Sequence, residues 1–238
     1  MKAFIKKLVK KIPIAFTRNQ QYDKQTLKII QKVCQPGSNC IDIGAHKGEV
    51  LDQMLKYAPG GTHYAFEPIP DLYEQLKKKY SGTRCVISPI ALSNKKGTSS
   101  FNYVISNPSY SGLVKRKYDR EGEKDTQIEV HTDLLDEVLP AGYKPTLVKI
   151  DVEGGELLVM EGARKTLEQY KPVIIFEHGL GASDFYGSTP EKVFSLLSDC
   201  GLKVSRMIDW LNGKSPLGKE QFCDIYRRNS DYYFIGHP

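Results

Sequence analysis

Short apolar runs that end in an acid or a glycine alternate along this chain with stretches whose apolar residues recur every three or four positions. The first kind reads as buried strand and the second as amphipathic helix. Leu27, Ile30, Val33 and Cys34 mark one face of a helix over 23–34, which Pro36-Gly37 ends. Ile41 to Ile43 reads as a strand running into the turn Gly44-Ala45-His46-Lys47-Gly48. Val50, Leu51, Met54, Leu55 and Tyr57 then carry a helix as far as Pro59-Gly60. Thr62 to Glu67 reads as a second strand, Leu72, Leu76 and Tyr80 mark the next helix, and Arg84 to Ile87 reads as a third strand. Strand–helix–strand–helix–strand is the order of a parallel, doubly wound α/β sheet.

The middle of the chain is less regular. Gly97 to Ile105 and Thr126 to His131 look like strands, separated by a polar loop from Ser106 to Asp125. That loop exceeds an ordinary connection, so it is expected to be a functional flap or partly disordered. A short helix over 134–139 precedes the return of the α/β alternation. Pro145 to Asp151 is a strand, and Gly154-Gly155 opens a single helix carrying Leu157 to Leu167. Pro172 to Phe176 is a wholly apolar strand, followed at once by Glu177-His178. Thr189-Pro190 starts another helix, with Pro in its first turn. Leu202 to Met207 and Tyr232 to Ile235 are expected as the last strands, with a turn-rich hairpin connection over 212–220.

Composition narrows the class. At 238 residues the chain is long enough for one domain that buries roughly 70–75% of its unfolded surface. No apolar run approaches the length of a membrane-spanning helix. The net charge of +6 owes much to Lys2, Lys6, Lys7, Lys10 and Lys11, which precede the first acid, Asp23. The remainder is nearly balanced, so nucleic-acid binding is not demanded. Phe4, Ile5, Leu8, Val9 and Ile12 share a helical face with those lysines opposite. This is either an amphipathic helix packed on protein or a basic helix touching an anionic membrane surface. The five cysteines, Cys34, Cys40, Cys85, Cys200 and Cys223, show no CxxC pairing. They read as reduced thiols of a cytoplasmic protein.

The glycine turn is where chemistry is expected. A strand, a tight turn and a helix N-terminus present backbone N–H groups at a sheet edge, which suits a nucleotide-like cofactor. The turn lacks the GxGxxG of a dinucleotide site, and Asp42 beside it would repel a pyrophosphate while accepting the ammonium of an amino-acid moiety. Glu67, at the end of the second strand, can accept both hydroxyls of a ribose. Together these favour S-adenosylmethionine over a nicotinamide dinucleotide.

The runs Ile41-Asp42-Ile43-Gly44-Ala45-His46-Lys47-Gly48, Ala65-Phe66-Glu67-Pro68, Ala91-Leu92-Ser93 and Leu147-Val148-Lys149-Ile150-Asp151-Val152-Glu153-Gly154-Gly155-Glu156 occur in this order. In them the chain resembles the FkbM-type S-adenosylmethionine-dependent methyltransferases. The resemblance implies a Rossmann-like, seven-stranded class I methyltransferase sheet with helices on both faces and one antiparallel strand near its end. It divides the chain into an N-terminal helical segment, 1–35, and a methyltransferase domain, 36–238. It places Gly44, Ala45 and Gly48 along the methionine part of the cofactor with Asp42 and His46 nearby. Glu67 and Pro68 fall at the ribose, and Ala91 and Leu92 at the adenine. Asp151 and Glu153 stand at the mouth beside the sulfonium, and transfer goes usually to a hydroxyl oxygen.

Methyl transfer needs acceptor oxygen, methyl and sulfur aligned, with a base to take the hydroxyl proton. Asp151, Glu153, Glu177 and His178 all follow the C-terminal ends of predicted strands, the ligand-binding edge of such a sheet, and are the catalytic candidates. A divalent metal on Asp151, Glu153 and Glu177 would suit oxygen ligands, although no spacing requires one. Tyr110 and Ser111 of the flap are candidate acceptor contacts, and Lys115-Arg116-Lys117 with Arg120 would meet an anionic acceptor. The expectation is an O-methyltransferase acting on a small hydroxylated molecule, a sugar first. A nicotinamide-type oxidoreductase and a non-catalytic cofactor-binding or scaffold protein are the alternatives. The sequence does not determine the oligomeric state.

Overall fold

The computed structural model describes residues 17–118 and 121–238; the basic segment 1–16 and Arg120 lie outside them. In chain order the strands are β1 (Asn39–Ile43), β2 (His63–Phe66), β3 (Cys85–Ser88), β4 (Ala91–Leu92), β5 (Gly97–Val104), β6 (Asp125–Asp133), β7 (Pro145–Ile150), β8 (Val173–Glu177), β9 (Lys203–Arg206) and β10 (Tyr233–His237). Seven form one sheet in the order β3-β2-β1-β7-β8-β10-β9. Neighbours are parallel from β3 to β8, and β10 runs antiparallel to both of its partners.

Strands covered on both faces must be apolar nearly throughout. β1, β7 and β8 are, and their alternate residues feed two cores. Ile41, Ile43, Val148, Ile150, Ile174 and Phe176 pack against Leu157 and Met160 of helix 156–162, Leu167 of helix 164–170, and Val193 and Leu197 of helix 190–199. On the other face Cys40, Ala65, Leu147, Ile175 and Ile235 meet Ile29 and Ile30 of helix 18–33 and Leu51 and Met54 of helix 49–57. Helix 18–33 therefore shares a core with the sheet. β4, β6 and β5 form a second, three-stranded sheet, in which Phe101 and Val130 pack against Ile69 and Leu72 at the start of helix 70–79.

Register places one charged pair inside this frame. Asp42 lies opposite Lys149, and Lys149 opposite Ile175. With side chains alternating between faces, Asp42 and Lys149 stand side by side on the face covered by helices 18–33 and 49–57.

Three elements differ from the sequence reading. The first helix starts at Arg18, because Thr17 caps it: its side chain accepts from Gln20 N at 3.2 Å while Gln20 Oε1 accepts from Thr17 N at 3.3 Å. The single helix expected from Leu157 to Leu167 is two, 156–162 and 164–170. Their junction presses on the β4 loop, where a Cβ on Gly162 would lie 2.1 Å from the Ser93 carbonyl oxygen. The expected hairpin between the last strands contains helices 207–211 and 219–227. The second of these buries a narrow apolar set, Phe222, Cys223 and Tyr226, and takes its place by packing on helix 190–199.

Candidate active site

β1 leaves the sheet through a turn that only glycine permits. Gly44 has φ +78°, and a Cβ there would sit 1.9 Å from the backbone carbonyl oxygen of Asp151. Its absence lets the end of β1 press against the end of β7 and opens the backbone to a ligand. Gly48, at φ +75°, caps helix 49–57; a Cβ there would strike the Tyr80 hydroxyl, which lies 2.8 Å from both the Gly48 carbonyl and Asp52 Oδ1. The turn is tied to the end of β2 by Glu67, whose Oε2 accepts from His46 N at 2.8 Å and Oε1 from Ile69 N at 3.0 Å. Each oxygen keeps a lone pair for a hydroxyl donor.

A cavity of about 630 Å³ opens at this edge of the sheet. Asp42, Gly44, Ala45, His46, Glu67 and Pro68 line one part of it, and Asp151 and Glu153 another. The strand-end geometry thus brings together two sequence motifs more than a hundred residues apart.

Its electrostatics separate the carboxylates. Lys149 Nζ donates to Asp151 Oδ2 at 2.9 Å, and the Tyr233 hydroxyl donates to the same oxygen at 2.8 Å. Burial would raise the pKa of Asp151, but Lys149 and Tyr233 more than reverse it and hold the carboxyl below its ordinary range. Burial works against the Lys149 ammonium in turn, and Asp151 and Asp42 overcome it. Glu153 goes the other way: burial and the neighbouring Asp151 push it up to about 8, against the pull of Arg116. Burial and Asp151 likewise keep Glu177 well above the usual carboxylate range. Glu156 Oε1 accepts from Val152 N at 3.0 Å and Gly154 N at 3.2 Å, bracing the run between Asp151 and the helix. Asp42, 1% exposed, has no hydrogen-bond partner on either oxygen among the described residues. Burial pushes it up to about 6. A buried carboxylate lacking donors, facing a cavity, is suited to a cationic ligand group.

Not every predicted residue reaches this cavity. Ala91 and Leu92 border a smaller adjoining pocket that shares Gly44, Pro68 and Val152 with the main one. Ser111 lines the cavity, its Oγ accepting from Val104 N at 3.0 Å, whereas Tyr110 does not and stacks on Tyr118. Glu177 and His178 are absent from the lining. His178 is 1% exposed and sandwiched with Phe222 and Tyr226, ring centroids 5.8 and 4.7 Å away; burial pushes its pKa down to about 4. Of the basic run, Lys115 and Lys117 point outward, while Arg116 pairs with Glu153. Among the described residues no group of three or more His, Cys, Asp or Glu side chains could hold a metal ion, and no helix is long and apolar enough to cross a membrane.

Sequence reasoning missed Lys149, Tyr233 and the cavity wall made by helix 18–33, including Tyr22 and Thr26. Lys149 was findable: a lysine inside the run Leu147-Val148-Lys149-Ile150 is a charge in a buried strand, which demands a partner. Tyr233 carried no such signal. It reaches Asp151 only because antiparallel β10 pairs it with Glu177 across β8.

Comparison with known proteins identifies the family. The profile of the methyltransferase FkbM domain matches residues 42–204. The hexuronic acid methyltransferase AglP of Haloferax volcanii is 30% identical over 161 residues, 63% of this chain and 61% of that protein. The chain thus spans about three fifths of that relative. The methyltransferase sdnD of Sordaria araneosa is 26% identical over 224 residues, 80% of this chain and 81% of that protein. The crystal structure of methyltransferase FkbM from Methylobacillus flagellatus KT superposes with a TM-score of 0.52 at 15% identity, covering 94% of this chain and 56% of that one. That likeness speaks for the fold.

Proposed function

The chain belongs to the FkbM methyltransferase family, matched from Asp42 to Val204, and from that premise we propose that it is an S-adenosylmethionine-dependent O-methyltransferase acting on a hydroxyl of a small sugar or sugar-containing metabolite. The observation that carries this reading is the joining of the glycine turn and the Asp151–Glu153 run in one cavity. S-adenosylmethionine, when bound, supplies a methyl group on a sulfonium. Asp42, with no donor of its own, would take the donor's ammonium directly or through water. Glu67 would receive the ribose hydroxyls, and Ala91 and Leu92 would border the adenine.

Two carboxylates whose environments push their proton affinities apart divide the work. Asp151, clamped by Lys149 and Tyr233, stays charged and would stand on the donor's side of the cavity. Glu153, with a raised proton affinity, acts as the base. The bound donor would supply the methyl group to the acceptor oxygen and leave as its neutral thioether, and Glu153 would take the hydroxyl proton and release it to solvent. Glu177 would assist as a neutral neighbour, and the buried stacking of His178 favours a packing role.

Family membership sets aside the nicotinamide alternative. The choice of a sugar acceptor leans on the hexuronic acid methyltransferase of Haloferax volcanii. The test is transfer of tritiated methyl from S-adenosylmethionine to methyl glycosides of hexoses and hexuronic acids, with product linkage read by mass spectrometry. Donor binding without transfer to any hydroxyl would favour a non-catalytic protein, and N-linked product would overturn the O-transfer reading.

A further inference from the structure

The loop between β5 and β6 brings Arg116 against a carboxylate of the site. Arg116, its side chain 13% exposed, pairs with Glu153, whose side chain is 19% exposed. The guanidinium lies over the Tyr110 ring, 4.6 Å from its centroid, and Tyr110 stacks on Tyr118 with an interplanar angle of 2°. The Tyr118 hydroxyl lies 2.8 Å from Asp125 Oδ2 and 2.7 Å from Asn102 Nδ2, which anchors the stack to β5 and β6. Farther along, Val114 N donates to the Tyr186 hydroxyl at 3.0 Å. The Arg116 side chain is therefore held between an aromatic shelf and one carboxylate. Glu153 itself has φ +59°, in the left-handed region that non-glycine residues seldom adopt. Such strain is maintained by surrounding contacts and concentrates at functional sites.

We propose that Arg116 is a positioning residue for methyl transfer: its guanidinium fixes the Glu153 carboxyl in place and favours its charged form at the mouth of the cleft. The inference rests on the reading of Glu153 as the base. The neighbouring acids argue for the need of such a cation. Asp151 at the end of β7, Glu156 of the following helix and Glu177 at the end of β8 all favour the neutral form of Glu153, and the half-buried Tyr186 and Tyr233 lie near it. Lys149 is committed to Asp151. Arg116 is the stronger of the two cations acting on Glu153. Sequence spacing places basic residues on this loop for an anionic acceptor; Arg116 instead acts inward, on a carboxylate of its own chain.

The readout is the ionisation of Glu153, followed in full-length protein labelled with [5-¹³C]glutamate. The carboxyl resonance missing from Glu153→Gln identifies it, and its shift is titrated from pH 5 to 12. Arg116→Met should raise the midpoint by about 1–3 pH units, the usual effect of losing an opposite charge at contact distance. Arg116→Lys should restore at least half of that shift, and Arg116→Gln replaces Met if the Met variant fails to fold. A midpoint moved by less than about 0.3 unit overturns the proposal. Methyl transfer by Glu153→Gln tests the base separately. A full rate there removes both the base and the inference, whereas a lost rate with an unmoved midpoint leaves the base and removes Arg116 alone.

Discussion

Replacing Lys149 by Met probes the charged pair that the active site is built on. Lys149 Nζ is 2.9 Å from Asp151 Oδ2, with side chains 10% and 23% exposed, and Asp42 lies beside it across the β1–β7 register. Without the ammonium, Asp151 keeps only the Tyr233 hydroxyl, and Asp42 keeps no adjacent cation. Removing one partner of a buried ion pair costs about 3–5 kcal/mol, because the other charge stays buried and unpaired. For a domain of this size each kcal/mol moves Tm by roughly 2–4 °C, so a fall of about 6–20 °C is expected at neutral pH. The penalty must depend on pH. In the variant the folded pKa of Asp151 rises above its unfolded value, and that of Asp42, already raised, climbs further. The native state then binds the extra protons, and stability relative to wild type falls as pH rises through that window. Urea unfolding at pH 5 and pH 8 should show the larger loss at pH 8, and Lys149→Met combined with Asp151→Asn should recover part of it. A loss below about 1 kcal/mol at pH 8, or one equal at both pH values, would refute the reasoning.

Gly44→Ala forces an L residue into φ +78° and a Cβ to within 1.9 Å of the Asp151 carbonyl oxygen; donor binding should disappear in calorimetry with S-adenosylhomocysteine, and retained affinity would contradict the cradle. Burial pushes Glu67 up to about 7, so at pH 8, where it is mostly ionised, Glu67→Gln removes a charged acceptor of about 1.5–3 kcal/mol, and the Kd for S-adenosylhomocysteine should rise roughly ten- to hundred-fold. Tyr80→Phe deletes the hydroxyl beside the Gly48 carbonyl and Asp52 and should cost about 1 kcal/mol in urea unfolding. His178 has its pKa pushed down to about 4 by burial, so the unfolded chain binds the extra proton between pH 6.5 and 4 and wild type loses stability as pH falls through that window. His178→Phe should be relieved of up to about 3 kcal/mol of that acid sensitivity, and parallel pH–stability curves for the two proteins would show that the histidine is not buried neutral.

Much of the site was legible in the chain because its signals are local. The glycine turn, Asp42 before it and Glu67 at the end of β2 each stand at a strand terminus, and the parallel sheet carries all such termini to one edge. The roles of the acids after β7 and β8 were less legible. Asp151 and Glu153 reach the cavity, while Glu177 and His178, equally well placed in sequence, do not line it. Position after a strand does not say which way a side chain turns: His178 turns toward Phe222 and Tyr226, from a helix that arrives some forty residues later.

By itself the sequence determined the doubly wound sheet, the place of the glycine turn and the methyltransferase family. Hydrophobic period, turn residues and strand-end acids are properties of neighbours along the chain. Only the tertiary structure decided how the carboxylates differ. Asp151 is held charged by a lysine from its own strand and a tyrosine from the last one, while Glu153 is pressed toward neutrality by acids of β7, β8 and the following helix and answered by an arginine from a distant loop. Proton affinity depends on burial and on charges in space, and those are assembled only when the register of β1, β7, β8 and β10 is complete.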